Sequence, residues 1–412
     1  MFCVARTPLS VAAFAPLSPR RSRFDTLHQR DLYSRSAPRI SPGDTAMSKR
    51  SLLLVLFAAF VFANLSLAQE PARIHQPILT PQDSGTTQGL IAVSPVNPRV
   101  VWASGRGGTF VVTSDGGKHW KAGVVPGAEA LQFRDVQGFS EKVAYLQSIG
   151  DNPTDFRIYK TVDGGANWTM QFQNQNPGAF YDCFAFWTPK RGISHSDSVN
   201  GVFPDLRTTD GTTWQDISSN MPPALPGEFS FASSGTCVAT QGARNAWITT
   251  GGATTARILA TRDGGNTWNA YDTPLLSSPS AGGFTVAFRD PWHGIVGGGD
   301  LDPADPNNAR TATSDDGGQT WTLTNAPPVT GAIFGLSYVG RAGGHEQHSH
   351  DDGGRAVVIT ANAGGAAWTP DEGNTWFTLA DVSGFWAVAF ASPEAGWLVG
   401  TDGRILKISF GR

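Results

Sequence analysis

The chain has few cysteines and no apolar run long enough to cross a bilayer. Only three of its 412 residues are cysteine, which excludes a disulfide-dense scaffold. The apolar run Leu52–Ala63 has twelve residues, fewer than the roughly 20 that a transmembrane helix needs. No stretch shows a helical period. No strand leads into a Gly-x-Gly-x-x-Gly segment, which argues against a dinucleotide-dependent oxidoreductase.

The N-terminal region predicts export. A basic start at residues 47–50 precedes the apolar run, and Ser66-Leu67-Ala68 has the small residues of a cleavage site. Residues 47–68 are therefore interpreted as a signal peptide that is cleaved before Gln69. Residues 1–46 are either a wrongly chosen start or, being Arg-rich without Lys, a transit peptide. We expect a periplasmic or extracellular protein, or one of the thylakoid lumen if residues 1–46 are a transit peptide.

Removal of residues 1–68 changes the charge. This segment holds nine of the 31 basic and three of the 34 acidic residues, so the formal net charge falls from −3 to −9. An acidic chain favours neither nucleic acid nor anionic membranes as partners. The exported part keeps only Cys183 and Cys237, and the sequence leaves open whether they form a disulfide or stay as two buried thiols.

What the chain has in abundance is one short motif, Ser/Thr-x-Asp-x-Gly-x-x-Trp, here called the Asp box. Its six copies end at tryptophans that lie 48, 46, 54, 53 and 55 residues apart. The tryptophans are Trp120, Trp168, Trp214, Trp268, Trp321 and Trp376, and the copy ending at Trp214 is one residue short. A period of this size predicts a repeat fold and fits a four-stranded propeller blade.

The residue types of the Asp box predict a turn that holds each blade together. The short Asp side chain can accept backbone N–H groups of its own turn, and the Gly suits a positive φ. We expect the Trp ring to be buried between blades with its N–H satisfied. The six aspartates are Asp115, Asp163, Asp210, Asp263, Asp316 and Asp371. Six equivalent turns are more than one active site needs, so their role is predicted to be structural.

Apolar strands separated by turn residues surround every Asp box. The last unit, residues 385–410, supplies only three strands, and residues 73–80 can donate the fourth. Pairing of this N-terminal strand into the last blade removes unpaired edges. The sequence thus predicts an all-β fold: a single seven-bladed β-propeller of four-stranded blades at residues 69–412, closed by an N-terminal strand.

The boxes, the ending GWLVGTDGRILKI and the stretches FYDCFAFWTPKRGI and FTVAFRDPWHGIVGGG together resemble a known family. The chain is similar, over about residues 72–410, to the BNR-repeat propellers related to the photosystem II stability/assembly factors. The resemblance implies a seven-bladed, extracytoplasmic scaffold that holds a partner protein, so we expect a binding protein more than an enzyme.

The enzyme alternative is a sialidase-like glycoside hydrolase, a class that shares Asp boxes. Such enzymes use three arginines, a Tyr–Glu nucleophile pair and an acid/base Asp. Their Phe-Arg-Ile-Pro motif is absent: the closest segment, Phe156-Arg157-Ile158-Tyr159, runs into the second box. No pair of carboxylates is marked for two-carboxylate hydrolysis.

Two segments contain metal-ligand residue types. His345, His348 and His350 lie in one Gly-flanked loop, where zinc or copper could bind, although a solvated polar loop is the favoured interpretation. Asp300, Asp302 and Asp305 have the spacing of a calcium-binding loop but lack the Gly and Glu of an EF-hand. An ordinary blade loop is therefore the favoured interpretation. We predict no metal and no cofactor.

The candidate partner-binding residues are pairs of polar or charged residues near the ends of innermost strands: Arg134 and Asp135, Tyr181 and Asp182, Arg289 and Asp290. Long, varied loops are predicted on the face opposite the boxes, at residues 148–156, 196–205, 220–229 and 297–309. Loops carry binding groups at little cost in stability. We expect a monomer that binds a protein or peptide there, with Arg134 and Arg289 contacting carboxylates.

Overall fold

The computed structural model describes residues 76–302, 309–340 and 352–411. These residues form seven four-stranded antiparallel sheets in which each strand pairs with its sequence neighbour, apart from the closing strand. The predicted all-β seven-bladed propeller is confirmed. The proposed leader and signal peptide lie outside the described residues, so their boundaries stay predictions.

The first three blades follow one another along the chain. Blade 1 contains β2 (Leu90–Pro95), β3 (Val101–Gly105), β4 (Thr109–Thr113) and β5 (Lys121–Val124), which follow the N-terminal strand β1 (Ile78–Gln82). Blade 2 contains β6 (Gln132–Gly138), β7 (Ala144–Ile149), β8 (Arg157–Thr161) and β9 (Thr169–Gln173). Blade 3 contains β10 (Tyr181–Thr188), β11 (Arg191–Ser196), β12 (Leu206–Thr208) and β13 (Gln215–Asp216).

The next three blades repeat the same order. Blade 4 contains β14 (Val238–Gln241), β15 (Asn245–Thr249), β16 (Arg257–Thr261) and β17 (Asn269–Asp272). Blade 5 contains β18 (Ala281–Phe288), β19 (Gly294–Asp300), β20 (Thr311–Ser314) and β21 (Thr322–Leu323). Blade 6 contains β22 (Gly335–Tyr338), β23 (Val357–Thr360), β24 (Ala366–Thr369) and β25 (Phe377–Thr378).

Blade 7 closes the ring with strands from both ends of the propeller. It contains β26 (Phe385–Ser392), β27 (Ala395–Gly400), β28 (Ile405–Ser409) and the N-terminal strand β1 (Ile78–Gln82). β1 pairs antiparallel with β28, from Ile78 opposite Ser409 to Gln82 opposite Ile405. The predicted closure is confirmed.

Gln82 reinforces this closure. Its side-chain carbonyl accepts the indole N–H of Trp397 in blade 7 and of Trp120 in blade 1, both at 3.1 Å. Its amide donates to the carbonyl oxygen of Gly116 at 3.2 Å. One side chain therefore ties the closing strand to its own blade and to blade 1.

Large aromatic residues on the second strands fill the core between blades. Trp102, Trp247 and Trp397 are fully buried. The indole of Trp247 donates to the carbonyl oxygen of Gly317 in the next blade at 2.8 Å, and that of Trp102 donates to Ser140 O at 2.8 Å. Burial of Trp102 and of Trp247 is thus coupled to a hydrogen bond with the adjacent blade.

Four 3-10 turns are the helical elements of the described chain: Pro153–Asp155, Ser218–Asn220, Asp352–Arg355 and Thr401–Gly403. Within the described residues, no helix has the length and apolarity to span a membrane.

Candidate functional site

Strand direction assigns every connection to one of two faces. Because the strands of a blade are antiparallel, the first-to-second and third-to-fourth connections lie at one end of each sheet. The second-to-third connections and those leading to the next blade lie at the other end. We call the first end the box face, because it holds the Asp boxes, and the second the loop face.

Each Asp box is a hydrogen-bonded turn. In blade 4 the hydroxyl of Thr261 donates to Asp263 at 2.8 Å and accepts the N–H of Gly265 at 3.0 Å. The same Asp263 oxygen accepts the N–H groups of Asn266 and Thr267 at 2.9 and 3.0 Å. The expected positive φ is present at Gly117, Gly165, Gly265, Gly318 and Gly373, with values from 81° to 92°.

These hydrogen bonds favour the ionised form of the box aspartates. Bonds from the side chain and backbone of Asn167 lower the pKa of Asp163 to about 2. The backbone N–H of His119 lowers the pKa of Asp115, and that of Thr213 lowers the pKa of Asp210. A carboxylate held ionised by its own turn is a poor general acid, which supports the structural interpretation.

The box tryptophans only partly match expectation. The indole N–H groups of Trp120, Trp321 and Trp376 find acceptors in Gln82, Gly318 and Asn325. The prediction of a satisfied N–H is wrong for Trp168, Trp214 and Trp268, whose buried ring nitrogens have no hydrogen-bond partner among the residues that the structure describes. There the apolar contact of the ring, and not its polar atom, holds the blades together.

The sixth box departs from the others. Glu372 follows the box Asp, where the five other boxes have Gly, and it has a φ of 56°. Its carboxylate accepts from Tyr338 Oη at 2.9 Å, from Arg289 Nε at 2.8 Å and from Arg355 Nε at 3.1 Å. Three donors therefore hold a non-glycine residue in the left-handed region.

The structure corrects the placement of Arg289 and Asp290. We expected both near Arg134 on the loop face, but they follow the end of β18 and so lie on the box face. Arg289 also donates to Asp290 at 2.8 Å, and Asp290 contacts the ring of His293. The direction of the strand, which the sequence pattern did not provide, decides the face.

This cluster places a Tyr beside a Glu, as the glycosidase alternative requires, with two arginines where that class uses three. Tyr338 is only 3% exposed, and burial together with the charge of Glu372 raises its pKa well above the ordinary value. Both arginines are bound to Glu372 instead of facing an open site. The geometry stabilises a neutral phenol and a contact between blades 5 and 6, and it does not prepare an ionised nucleophile.

Aromatic rings from four blades line the inner end of the loop face. Phe231 stacks on Phe284 with 3.8 Å between ring centroids, and Phe334 bridges Phe284 and Trp386 at 5.7 and 5.2 Å. Phe229 packs on Phe231 at 5.0 Å. We call these five residues the aromatic mouth. Phe229 and Phe334 are partly exposed, so the mouth presents apolar surface to solvent.

Arg134 links blade 2 to the aromatic mouth. It is 3% exposed, and its guanidinium donates to Ala232 O and Gln132 Oε1, both at 3.0 Å. Its central carbon lies 5.6 Å from the ring centroid of Trp386. Contact of Arg134 with a partner carboxylate stays a prediction, since the structure engages this side chain inside the protein.

Asp135, Tyr181 and Asp182 are also buried near the inner end of the loop face. Asp135 accepts the N–H of Phe184 at 2.8 Å, and Tyr181 donates to Pro204 O at 2.9 Å. Burial raises the pKa of Asp135 and of Asp182 well above the ordinary value, and the charge of Asp197 raises that of Asp182 further. All three side chains are buried, and their role in binding stays a prediction.

A buried polar chain beside them has the geometry of a Ser-His-Asp triad. His195 Nδ1 lies 2.9 Å from Asp205, and Nε2 lies 2.9 Å from Ser230 Oγ. The hydroxyl of Ser230, however, donates to Thr249 O at 2.8 Å, and Ser230 is 4% exposed. Because this hydroxyl is hydrogen-bonded to a carbonyl oxygen and buried from solvent, its role is structural and it does not act as a nucleophile.

Cys183 and Cys237 are bonded, which settles the alternative that the sequence left open. Their Cα atoms lie 5.9 Å apart and 54 residues apart in sequence. The disulfide joins β10 of blade 3 to the residue before β14 of blade 4. It therefore holds one end of the segment that carries Phe229 and Phe231.

Several of these residues were missed by sequence reasoning. The aromatic mouth and the His195–Asp205–Ser230 chain combine residues from separate blades or connections, so no local spacing links them. His345, His348, His350 and Asp305 lie outside the described residues. Among the residues that are described, no group of three or more His, Cys, Asp or Glu side chains is placed to hold a metal ion.

The fold and its two faces define a seven-bladed β-propeller with a cluster of aromatic rings at the inner end of its loop face. Two solved structures of YCF48 are similar to it, each with 17% sequence identity. "YCF48 bound to D1 peptide" has a TM-score of 0.56 and covers 83% of this chain and 99% of that chain. YCF48 from Cyanidioschyzon merolae has a TM-score of 0.54 and covers 80% and 98%.

A propeller domain of the WD40 type is also similar. The WD40 β-propeller domain of Doa1 has a TM-score of 0.51 and 12% identity, and covers 81% of this chain and 96% of that chain. At these identities the likeness shows the fold alone. No protein-family model and no curated protein matches the sequence.

Proposed function

We propose that this protein is an exported scaffold that binds an extended peptide or protein segment on its loop face. The observation that carries the proposal is the aromatic mouth, where Phe229 and Phe334 stay partly exposed above the buried Phe231–Phe284 stack. Partly exposed aromatic rings with buried support are typical of binding hot spots. The similar YCF48 structure contains a bound peptide, which supports a peptide as the class of ligand.

Two features support export. The predicted signal peptide at residues 47–68 has the features of a secretory leader. The Cys183–Cys237 disulfide suits an oxidising compartment, because thiols stay reduced in the cytosol. N-terminal sequencing of protein recovered from the extracytoplasmic fraction tests this part: we expect Gln69, and a start before Met47 would contradict it.

The binding proposal is tested with a random peptide library displayed against the purified propeller. We expect enriched peptides to protect loop-face amides near Phe229 and Phe334 from hydrogen exchange. Phe229→Ala and Phe334→Ala should weaken their binding, whereas Trp292→Ala, which removes a 53% exposed ring from the box face, should not. Protection confined to the box face would overturn the proposal.

The glycosidase alternative has its own measurement, because the Tyr338–Glu372 pair gives it specific residues. Purified protein is assayed with fluorogenic sialosides and other aryl glycosides, beside the Glu372→Gln variant. We expect no turnover by either. Turnover that Glu372→Gln abolishes would replace the scaffold by an enzyme whose site is on the box face.

A further inference from the structure

The two faces differ in the charge that they expose. Within the described residues the loop face exposes eight acids: Asp83, Glu129, Asp151, Asp216, Asp272, Asp302, Asp381 and Asp402. The one base in the same exposure class there is Arg404. The box face exposes more bases than acids, including Arg99, Lys118, Lys121, Lys142, Lys190, Arg244, Arg262 and Arg355. Among the described residues, exposed negative charge is thus concentrated on the loop face.

Three of these acids border blade 7, which supplies Trp386 to the mouth. Asp381 lies in the connection that enters β26, Asp402 in the turn between β27 and β28, and Asp83 in the connection that follows β1. We call them the rim acids. The carboxylates of Asp381 and Asp402 have no hydrogen-bond or ion-pair partner among the described residues. They are therefore available to a partner.

The protein already places its own cations on aromatic rings in this region. Arg134 lies 5.6 Å from the ring of Trp386, and Arg404 lies 4.9 Å from the ring of Phe385. Guanidinium groups bind aromatic faces through the ring quadrupole. Aromatic rings and unpaired carboxylates on the same face offer an arginine side chain both of the contacts that it prefers.

We infer that the segment recognised by the loop face is cationic, with arginine side chains that contact the aromatic mouth and the rim acids. This inference rests on the proposed function and names the chemistry of its partner. The acidic rim attracts such a segment and repels an acidic one, so charge selects among peptides that the apolar mouth alone would accept.

Three labelled peptides of one length test the inference: alternating Arg–Leu, alternating citrulline–Leu and alternating Glu–Leu. Citrulline keeps the shape of arginine without its charge. Fluorescence anisotropy should show the Arg peptide binding about tenfold more tightly than the citrulline peptide, with a preference that falls as salt screens the exposed charges. The Glu peptide should bind least.

Variants assign the effect to the rim. The triple variant Asp83→Asn, Asp381→Asn, Asp402→Asn should weaken Arg-peptide binding about tenfold, roughly a factor of two for each exposed contact. Asn suits this site because Asp381 and Asp402 have φ values of 60° and 58°, a region that Asn tolerates. The matched control Glu141→Gln, Asp315→Asn, Glu394→Gln removes the same charge from the box face and should leave affinity unchanged.

The outcomes separate the two proposals. Equal affinity for Arg and citrulline peptides, or equal weakening by the rim and control variants, would overturn the cationic partner. If the citrulline peptide still binds and Phe334→Ala weakens it, the loop-face scaffold stands without the charge preference. If no peptide of any charge protects the loop face, the proposed function itself fails.

Discussion

The box face and the loop face of this propeller are built by different means. The box face repeats one turn six times, and in each copy a Ser or Thr hydroxyl, an Asp carboxylate and nearby backbone N–H groups satisfy one another within a few residues. The loop face has no repeated unit. Its aromatic mouth joins residues from blades 4 to 7, and Arg134 reaches it from blade 2.

This difference separates the part that sustains the fold from the part that is available for function. A repeat protein needs the same contact between each pair of neighbouring units, which explains the uniform box face. Loops tolerate variation at little cost, so the loop face can carry an individual site. Changes on the box face should therefore act on stability, and exposed changes on the loop face on binding.

The largest expected effect is from Trp268→Ala. Its ring is 6% exposed between blades, and loss of a buried large aromatic costs about 3–5 kcal/mol of unfolding free energy. The comparison variant Phe334→Ala removes a partly exposed loop-face ring and should cost clearly less. Chemical denaturation measures both. Equal losses would show that the aromatic mouth is as structural as the boxes.

Loss of the disulfide should be the next largest effect. Replacement of Cys183 and Cys237 by Ser releases a loop that spans 54 residues, and such cross-links stabilise by about 2–4 kcal/mol. Reductant should lower the unfolding free energy of the wild type by this same amount. It should leave the unfolding free energy of the double variant unchanged. A reductant-insensitive wild type would contradict the expectation.

Asp263→Ala should be milder. It leaves the N–H groups of Asn266 and Thr267 without their acceptor, a loss of about 1–3 kcal/mol. Asp272→Ala is the control: this exposed acid at the loop-face end of the same blade should change stability by less than about 0.5 kcal/mol. Similar melting temperatures for the two variants would show that the box turn does not stabilise its blade.

The fold could be predicted from sequence because its signals are local. Each Asp box contains its own donors and acceptors, and the motif therefore indicates both the turn and the blade period. The missing strand of the last unit indicated closure by the N-terminal segment, which β1 provides.

The candidate site was far less predictable. Arg134, Asp135, Tyr181 and Asp182 were selected as polar groups at strand ends, but burial and long-range packing, which no local spacing encodes, decide what they contact. Arg289 was placed on the wrong face because the pattern marked the end of a strand without its direction. The aromatic mouth had no motif, since its five rings come from four blades.

The smallest and most specific expectation is that acids of the two faces respond to pH in opposite directions. Asp163 on the box face has a pKa lowered from 3.8 to about 2, so its stabilising effect is present above pH about 4 and is lost as the pH falls through about 2. Asp163→Asn should therefore reduce the melting temperature near neutral pH, and the difference from wild type should shrink in acid.

Asp182 near the loop face should behave in the reverse way. Burial and the charge of Asp197 raise its pKa, so the stability it contributes is present below its ordinary pKa and declines as the pH rises. Asp182→Asn removes that decline, and its melting temperature should gain on wild type as the pH rises from about 4 towards neutral. Thermal unfolding of both variants across this range is the measurement. If the melting-temperature difference between either variant and the wild type does not change with pH, the pKa of that carboxyl is not shifted. The two faces would then differ in shape but not in the titration of their acids.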